Sequence, residues 1–551
     1  MRLSAMPILL LGILAGCWNL NSPIDPEAEA YSGSLSLRIS DLVVTPSYSD
    51  VSATSSEQFS LIVTFEDGSW KDVTEEANWR STEEEVAVVS NLAGSKGLAT
   101  VSGPGMAMIE AEYGGLTTSR TGRCATFSAD AVFVSDTTGS DATGTGTRSR
   151  PVQTVQRGVD LAAAIGGSAA VIVAEGTYLV TDPVVMAPEV SLYGGFDAAT
   201  WIRDVDTYNS VIQNTFASPT NTQSDPDAAV EAGPGITSNS RIDGLVLVGG
   251  GGPGPAGNFS AGILCNGGSP RIVNNTIEAG TGAGHAYGVL VLNGGSPLIT
   301  KNSITGKTFR DGDKSYGVHA VESSPRIVAN KIDAGPQHPN RSTGVLLHEP
   351  PSATVIANNW INGGLGKESV GINLEGSTTT RIWSNTINAG TAQGGFGSGA
   401  AIAIAIEGGS PNIVNNILFS DGGPVRYGIF EVTASSDPTR LENNVVFDTP
   451  TALYVDEDLS NYNSVSDLND WTKTTDDIAN VATGNISEDP FFVDRPGGDW
   501  HLSAASPVSV TQGGFDLSGS SHYPTRGWPP EPVDHFDDYR SVPWSIGAHE
   551  Y

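Results

Sequence analysis

The sequence predicts an all-β chain, a small antiparallel sandwich followed by a long parallel solenoid. Three observations carry this. The phrase "GGSPRIVNNTI" (267–277) returns as "GGSPLITKNSI", "SSPRIVANKI" and "GGSPNIVNNIL". Glycine supplies 66 of 551 residues while charged residues are only 16%, which suits tight turns and short strands better than amphipathic helices. Alternating apolar stretches with Gly-bearing turns fill the first hundred residues after the amino-terminal segment.

A chain of 551 residues exceeds one compact core, so several domains or an array growing along one axis are expected. With 28 basic against 61 acidic residues the net charge is −33, which repels phosphate backbones and excludes nucleic acid as a partner class.

The amino terminus "MRLSAMPILLLGILAGCWNLN" has one cation, Arg2, then an apolar run too short for a stable membrane span, then Cys17. Leu14-Ala15-Gly16-Cys17 resembles a bacterial lipoprotein lipobox, which implies removal of residues 1–16, lipidation of Cys17 and a membrane partner through the lipid anchor. Residue 18 is Trp where some bacteria use Asp for inner-membrane retention, which points to the outer membrane or cell surface. Residues 17–32 are polar and proline-bearing and read as a flexible tether.

Residues 33–125 give short antiparallel strands such as "FSLIVTFEDG" and "MAMIEAEYGG". Asp67, Gly68, Asp72, Thr74 and Trp79 carry a strand, turn and tryptophan-strand pattern that resembles the group 2 bacterial Ig-like domain, which implies spacing or adhesion. Trp79 reads as a core filler between sheets.

Residues 128–551 form the second unit. Its opening (128–165) reads strand, Gly/Thr/Asp loop, then an amphipathic stretch with apolar Val152, Val155, Val159, Ala162 and Ala163, and Pro151 suits a helix start. Val134, Ser135, Gly139, Asp141, Gly144, Gly146, Pro151, Thr154, Val155 and Gln156 carry a resemblance to right-handed parallel β-helix proteins with a pectin-lyase-like fold, in particular a family of uncharacterised function. In that family the helix caps the first coil, shielding an open strand edge.

The repeat then sets the period. Anchors at Pro270, Pro297, Pro325, Ala353, Thr380, Pro411 and Pro438 are 27, 28, 28, 27, 31 and 27 residues apart. That spacing fits one solenoid coil and is too short for a propeller blade. A second strand precedes each anchor ("YGVLVL", "YGVHAV", "YGIF"), giving at least two sheets per coil. Five residues past each anchor stands an asparagine: Asn275, Asn302, Asn330, Asn358, Asn385, Asn416 and Asn443. At a bend these tolerate left-handed backbone, and identical amides one strand apart bond along the axis, so a structural ladder is expected. Ile277, Ile304, Ile332 and Ile387 follow and should point into the core.

Residues 487–551, "SEDPFFVDRPGGDWHLSAASPVSV" and "FDDYRSVPWSIGAHEY", resemble the closing segments of β-helix surface proteins and read as a carboxy-terminal cap with His501 structural. Ser545 replaces the usual Asp there. Cys265 sits where neighbouring repeats place Leu292 and Ile406, which makes it a buried hydrophobe, and nothing pairs it with Cys124.

Chemistry on the scaffold is sparse. The loop "GKTFRDGDKSYG" offers Arg310, Asp311, Asp313 and Lys314: acids that would hold Ca²⁺ and a base, as a lyase needs, although Asp-Gly is itself a turn signal. "LFSDGGPVRYG" offers Asp421 and Arg426, and His319 with His348 fall in similar phase on adjacent coils. No confident metal set or cofactor emerges. The expected function is a monomeric surface-anchored lipoprotein binding a polysaccharide or a cell-surface protein without catalysis. The alternative is a polysaccharide lyase or hydrolase.

Overall fold

The computed structural model describes residues 39–514 apart from short stretches, among them 51–55, 252–258, 308–313, 394–398 and 471–480, together with residues 545–547. Cys17, the 17–32 tether and most of 515–551 lie outside the described residues.

The amino-terminal strands pair antiparallel in small sheets. Ile39–Thr45, Ser60–Phe65 and Trp70–Asp72 make one, and Asn78–Ser81 and Gly122–Thr126 flank Gly105–Tyr113 in another. A core of Phe59, Leu61, Val63, Trp79, Ala99 and Ile109 lies between them. Trp79 is the filler its sequence context predicts, 3% exposed, with its indole N–H donating to the Thr74 carbonyl at 2.9 Å. Asp72 accepts the Thr74 N–H at 2.9 Å, the self-bonded turn expected of an Asp two residues before a Thr.

From Val132 onward the chain winds into a solenoid, which among the described residues has three sheets of 12, 10 and 11 strands. Neighbouring strands are parallel throughout except the final pair of the third sheet. The first sheet begins before the repeat, with Val132–Val134, Ala169–Ala174, Val190–Phe196 and Arg241–Asp243. These early coils lack the Ser-Pro phrase, so periodicity alone passes over them. One helix, Val155–Ile165, packs Val155, Val159 and Ala162 into the first coil. It starts after Thr154, whose hydroxyl caps Arg157 N–H, so Pro151 lies ahead of the helix, and Ala163 faces solvent. Among the described residues no helix is long and apolar enough to cross a membrane.

Register is kept coil after coil. Ile272, Ile299, Ile327, Ile356, Ile382 and Ile413 stack in the first sheet, and Ile277, Ile304, Ile332, Ile361 and Ile387 in the second, all at most 1% exposed. Cys265 is fully buried and stacks on Val291, not Leu292, within the same column as Ile406. Burial pushes its thiol up to about 12.

The asparagine ladder exists, with two corrections. Its rungs are Asn275, Asn302, Asn330, Asn359, Asn385, Asn416 and Asn444, continued by Asn485. Asn358 and Asn443 are not rungs. Coil four is anchored by Thr354, whose carbonyl takes the Arg381 N–H, and coil seven by Thr439, so counting from Ala353 and Pro438 lands one residue early. Left-handed backbone falls on the residue before each rung: Asn274, Lys301, Ala329, Asn358, Ser384, Asn415 and Asn443 all have φ between 52° and 60°. Each rung's Nδ2 donates to the next amide's Oδ1 and to a carbonyl of the preceding coil, and in Asn275, Asn302, Asn330, Asn359 and Asn416 also to one of its own coil, as Asn330 does to Ile299 and Val328.

The carboxy-terminal segment folds back along the flank of the second sheet. Phe492–Asp494 pairs antiparallel with Asp499–Leu502, and Trp500, Leu502, Val510 and Ile546 cover Trp360, Phe419 and Phe447. His501 sits edge-on to Trp360 at 5.3 Å.

Candidate functional site

The third sheet has the longest strands, including His285–Leu292, Lys314–Val321, Arg341–His348, Glu368–Glu375 and Ala400–Glu407. These strands bend. Strict alternation would put Tyr316, Val318 and Ala320 on one face, yet Val318 and Ala320 lie in the main core while Tyr316 belongs to an outer cluster with Tyr287, Leu290 and Leu346. The break falls at Gly317, where a Cβ would sit 2.3 Å from Ile332 Cγ2 and 2.6 Å from the Gly344 carbonyl. Gly288, Gly344 and Gly371 hold the same place on adjacent coils.

The outer face therefore bends along the axis into a trough filled by side chains that meet from either side of the bend, Tyr287, Tyr316 and His319 being only 2%, 4% and 7% exposed. Tyr316 and His319 rings lie 4.8 Å apart, Tyr287 and Tyr316 5.3 Å, Tyr287 and His319 5.5 Å. Beyond this aromatic floor the trough turns polar. The Arg341 guanidinium faces Glu368 at 3.5 Å, Glu375 at 3.5 Å and Glu407 at 3.3 Å, three carboxylates from the next two strands. Asn373 Nδ2 donates to Glu375 at 2.8 Å and Glu407 at 3.2 Å, and His348 Nδ1 lies 2.9 Å from Glu375. Beneath them Thr343 Oγ1 and Asn373 Oδ1 are sealed from solvent without a hydrogen-bond partner.

A segment ahead of Asp227 crosses the trough. Asn221 exchanges hydrogen bonds with the Phe259 backbone, and Gln223 Nε2 reaches His319 Nδ1 at 3.5 Å. Burial foremost, and then the nearby cations and histidines, drive the His319 imidazole down to about 3, so it is neutral at ordinary pH. Burial raises the Tyr287 and Tyr316 phenols, which stay protonated.

The sequence candidates meet this trough only in part. Lys314 stands exposed at its rim, in register between His285 and Arg341, while Arg310, Asp311 and Asp313 lie outside the described residues. His319 and His348 both face outward but do not stack, since His319 pairs with Leu346 and His348 with Val321. Asp421 and Arg426 are bound into a network with Arg495 and Asp448 at 2.8–3.1 Å, fastening the carboxy-terminal hairpin. Composition-based reading passes over Tyr287, Tyr316, Arg341, Asn373, Glu375 and Glu407. The recurring Gly before a Val or Ile is the available signal for the bend, and the Tyr ahead of it at 287, 316 and 427 marks the outward ring. A separate cleft of about 170 Å³ at the ladder corner, beside Asn209, Leu245, Asn275 and Lys301, is too small for a sugar chain.

Comparison with known proteins agrees on architecture. Residues 261–453 match the family model described as the right handed beta helix region. The class of structure is thus a right-handed parallel β-helix, continuous with the three sheets above. Solved structures similar to this chain include pectate lyase Pel9A, at 14% identity over 76% of this chain and 96% of that one, with a TM-score of 0.37. A periplasmic alginate epimerase matches at 12% identity over 58% and 67%, with a TM-score of 0.30. A family 28 exopolygalacturonase of Yersinia enterocolitica matches at 11% over 74% and 89%, with a TM-score of 0.25. No chemical role is carried across from them, and no curated protein matches the sequence.

Proposed function

We propose that this chain is a surface-anchored lipoprotein whose β-helix binds a neutral glycan along the third-sheet trough without cleaving it. The observation that carries this reading is the state of the trough's groups. The Arg341 guanidinium is shared by three carboxylates and the neutral His319 is roofed by Gln223, whereas the stacked rings of Phe259 and His285 and the polar heads of His348 and Glu375 stay partly exposed on the same sheet. Acid–base catalysis needs a group free to reach a substrate proton. Binding a polyhydroxylated chain needs apolar faces with a few placed polar atoms. The carboxylate excess disfavours acidic polysaccharides.

Cys17 supplies the lipid anchor in this reading, residues 17–32 the tether, and residues 33–125 a group 2 bacterial Ig-like spacer, supported by the buried Trp79 and the Asp72–Thr74 turn. The outer membrane or cell surface is the proposed location. Palmitate labelling and membrane fractionation that are lost in Cys17→Ser test the anchor.

The second reading, a lyase or hydrolase, rests on Lys314 at the trough rim directly after the Asp311 and Asp313 loop. The Cys17→Ser chain screened against neutral and acidic polysaccharides, with and without Ca²⁺, separates the two. Retention on a neutral glycan that weakens in His285→Ala, with no new ends released, supports binding. Release of unsaturated or reducing ends that disappears in Asp311→Ala or Asp313→Ala establishes the enzyme instead.

A further inference from the structure

The solenoid interior ends on acid. Along one inward column of the third sheet, successive coils stack Cys265, Val291, Ala320, Leu347, Leu374 and Ile406, and the next place is Glu431. Every apolar member is fully buried, and Glu431 is 1% exposed. A carboxylate placed there needs compensation, because the low-dielectric interior disfavours an isolated charge.

What surrounds it is more acid. One oxygen each of Glu431, Asp437 and Glu457 lie within 4.8 Å of one another. Two oxygens on opposite sides of a Ca²⁺ ion stand about 4.8 Å apart, given metal–oxygen bonds of about 2.4 Å. Glu431 Oε1 accepts the Tyr454 hydroxyl, whereas Glu431 Oε2 and Glu457 Oε2 are sealed from solvent and accept no hydrogen bond. The orphaned oxygens therefore belong to the cluster itself, one of them on a side chain 99% removed from water.

We propose that Glu431, Asp437 and Glu457 bind a divalent cation of the Ca²⁺ class that locks the closing coils of the β-helix. All three donors are carboxylate oxygens, the ligand set of a hard cation. They come from the end of Val425–Glu431, the turn before Arg440–Glu442 and the residues after Ala452–Val455, so one ion would join two successive coils. The site is separate from the trough, since Glu431 points inward where Phe430 points out. A shared proton is the competing arrangement: burial above all, with Asp437, a hydrogen bond to Glu457 and Asp456 adding, pushes the Glu431 carboxyl up to about 10.

The Cys17→Ser chain, stripped with EDTA, is titrated with Ca²⁺, Mg²⁺ and Tb³⁺. Tyr454 adjoins the site and should sensitise Tb³⁺ emission. At Ca²⁺ near 100 times its dissociation constant the thermal midpoint should rise by about 3–5 °C. Both signals should be lost in Glu431→Gln, which keeps a side-chain oxygen for Tyr454, and in Glu457→Gln, which alters a partly exposed residue. A chain whose midpoint and emission ignore Ca²⁺, as the shared proton requires, overturns the proposal. So does an equal response in both variants, and a response to Mg²⁺ as strong as to Ca²⁺ overturns the choice of cation class.

Discussion

Replacing Asn330 with Ala is the sharpest trial of the ladder. Asn330 Oδ1 accepts both the backbone N–H and the Nδ2–H of Asn302 at 3.0 Å, and its Nδ2 serves the carbonyls of Ile299 at 2.8 Å and Val328 at 2.9 Å. The variant leaves the Asn302 N–H buried without its acceptor and takes a donor from the Ile299 and Val328 carbonyls and from Asn359 Oδ1. Each stranded group costs about 1–3 kcal/mol, so a loss of about 2–4 kcal/mol is expected. Asn359→Ala should cost the same, because Asn359 is the true rung of its coil. Asn358→Gly should stay within about 0.5 kcal/mol, since glycine adopts the φ of 56° at that position freely. Urea denaturation followed by tryptophan fluorescence and far-ultraviolet circular dichroism gives the comparison as midpoint shifts at constant slope. If Asn358→Gly costs as much as Asn359→Ala, or Asn330→Ala costs under about 1 kcal/mol, the ladder is not what holds the corner.

Gly317→Ala should destabilise by roughly 2 kcal/mol or more by the same measurement, because the new methyl meets Ile332 Cγ2 and the Gly344 carbonyl well inside van der Waals contact. Cys265, fully buried with its thiol pushed up to about 12, should resist thiol reagents in the native protein up to about pH 9 and react only after denaturation. Asp141 gives a pH-linked test. Burial opposes its ionisation, but hydrogen bonds from the Thr154 hydroxyl and from the Thr154 and Gln153 N–H groups outweigh it and hold the carboxyl below its usual value. Its contribution is therefore complete above the ordinary Asp range and fades as pH falls through the depressed value, so Asp141→Asn should flatten the acid limb of a stability profile below about pH 4.

The architecture was legible because stacking repeats the same side chain on every coil, so Ser-Pro, Ile and Asn phrases map directly onto strands and corners. Its phase was legible only where Pro marks the coil. "ANNW" and "ENNV" each offer two adjacent asparagines, and period length cannot tell the inward amide from the left-handed residue before it. The trough was hidden for a different reason. A strand read with period two has no bend, yet Gly317 reverses the alternation and brings Tyr316 against His319. Arg341 and its partners are scattered in sequence, with Glu407 66 residues away, and only coil-to-coil register collects them. Glu431 reads as an ordinary strand end until six buried apolar residues are found stacked in its column.

Successive rungs from Asn275 to Asn444 are separated by 26 to 31 residues, yet pairing in all three sheets continues without interruption. The scaffold thus absorbs changes of coil length at its corners instead of transmitting them to its neighbours. A foreign peptide inserted between Ala392 and Ala400 should leave the flanking rungs at Asn385 and Asn416 undisturbed. The rod could then display grafted segments at regular intervals of one strand spacing, about 4.8 Å, along a single edge.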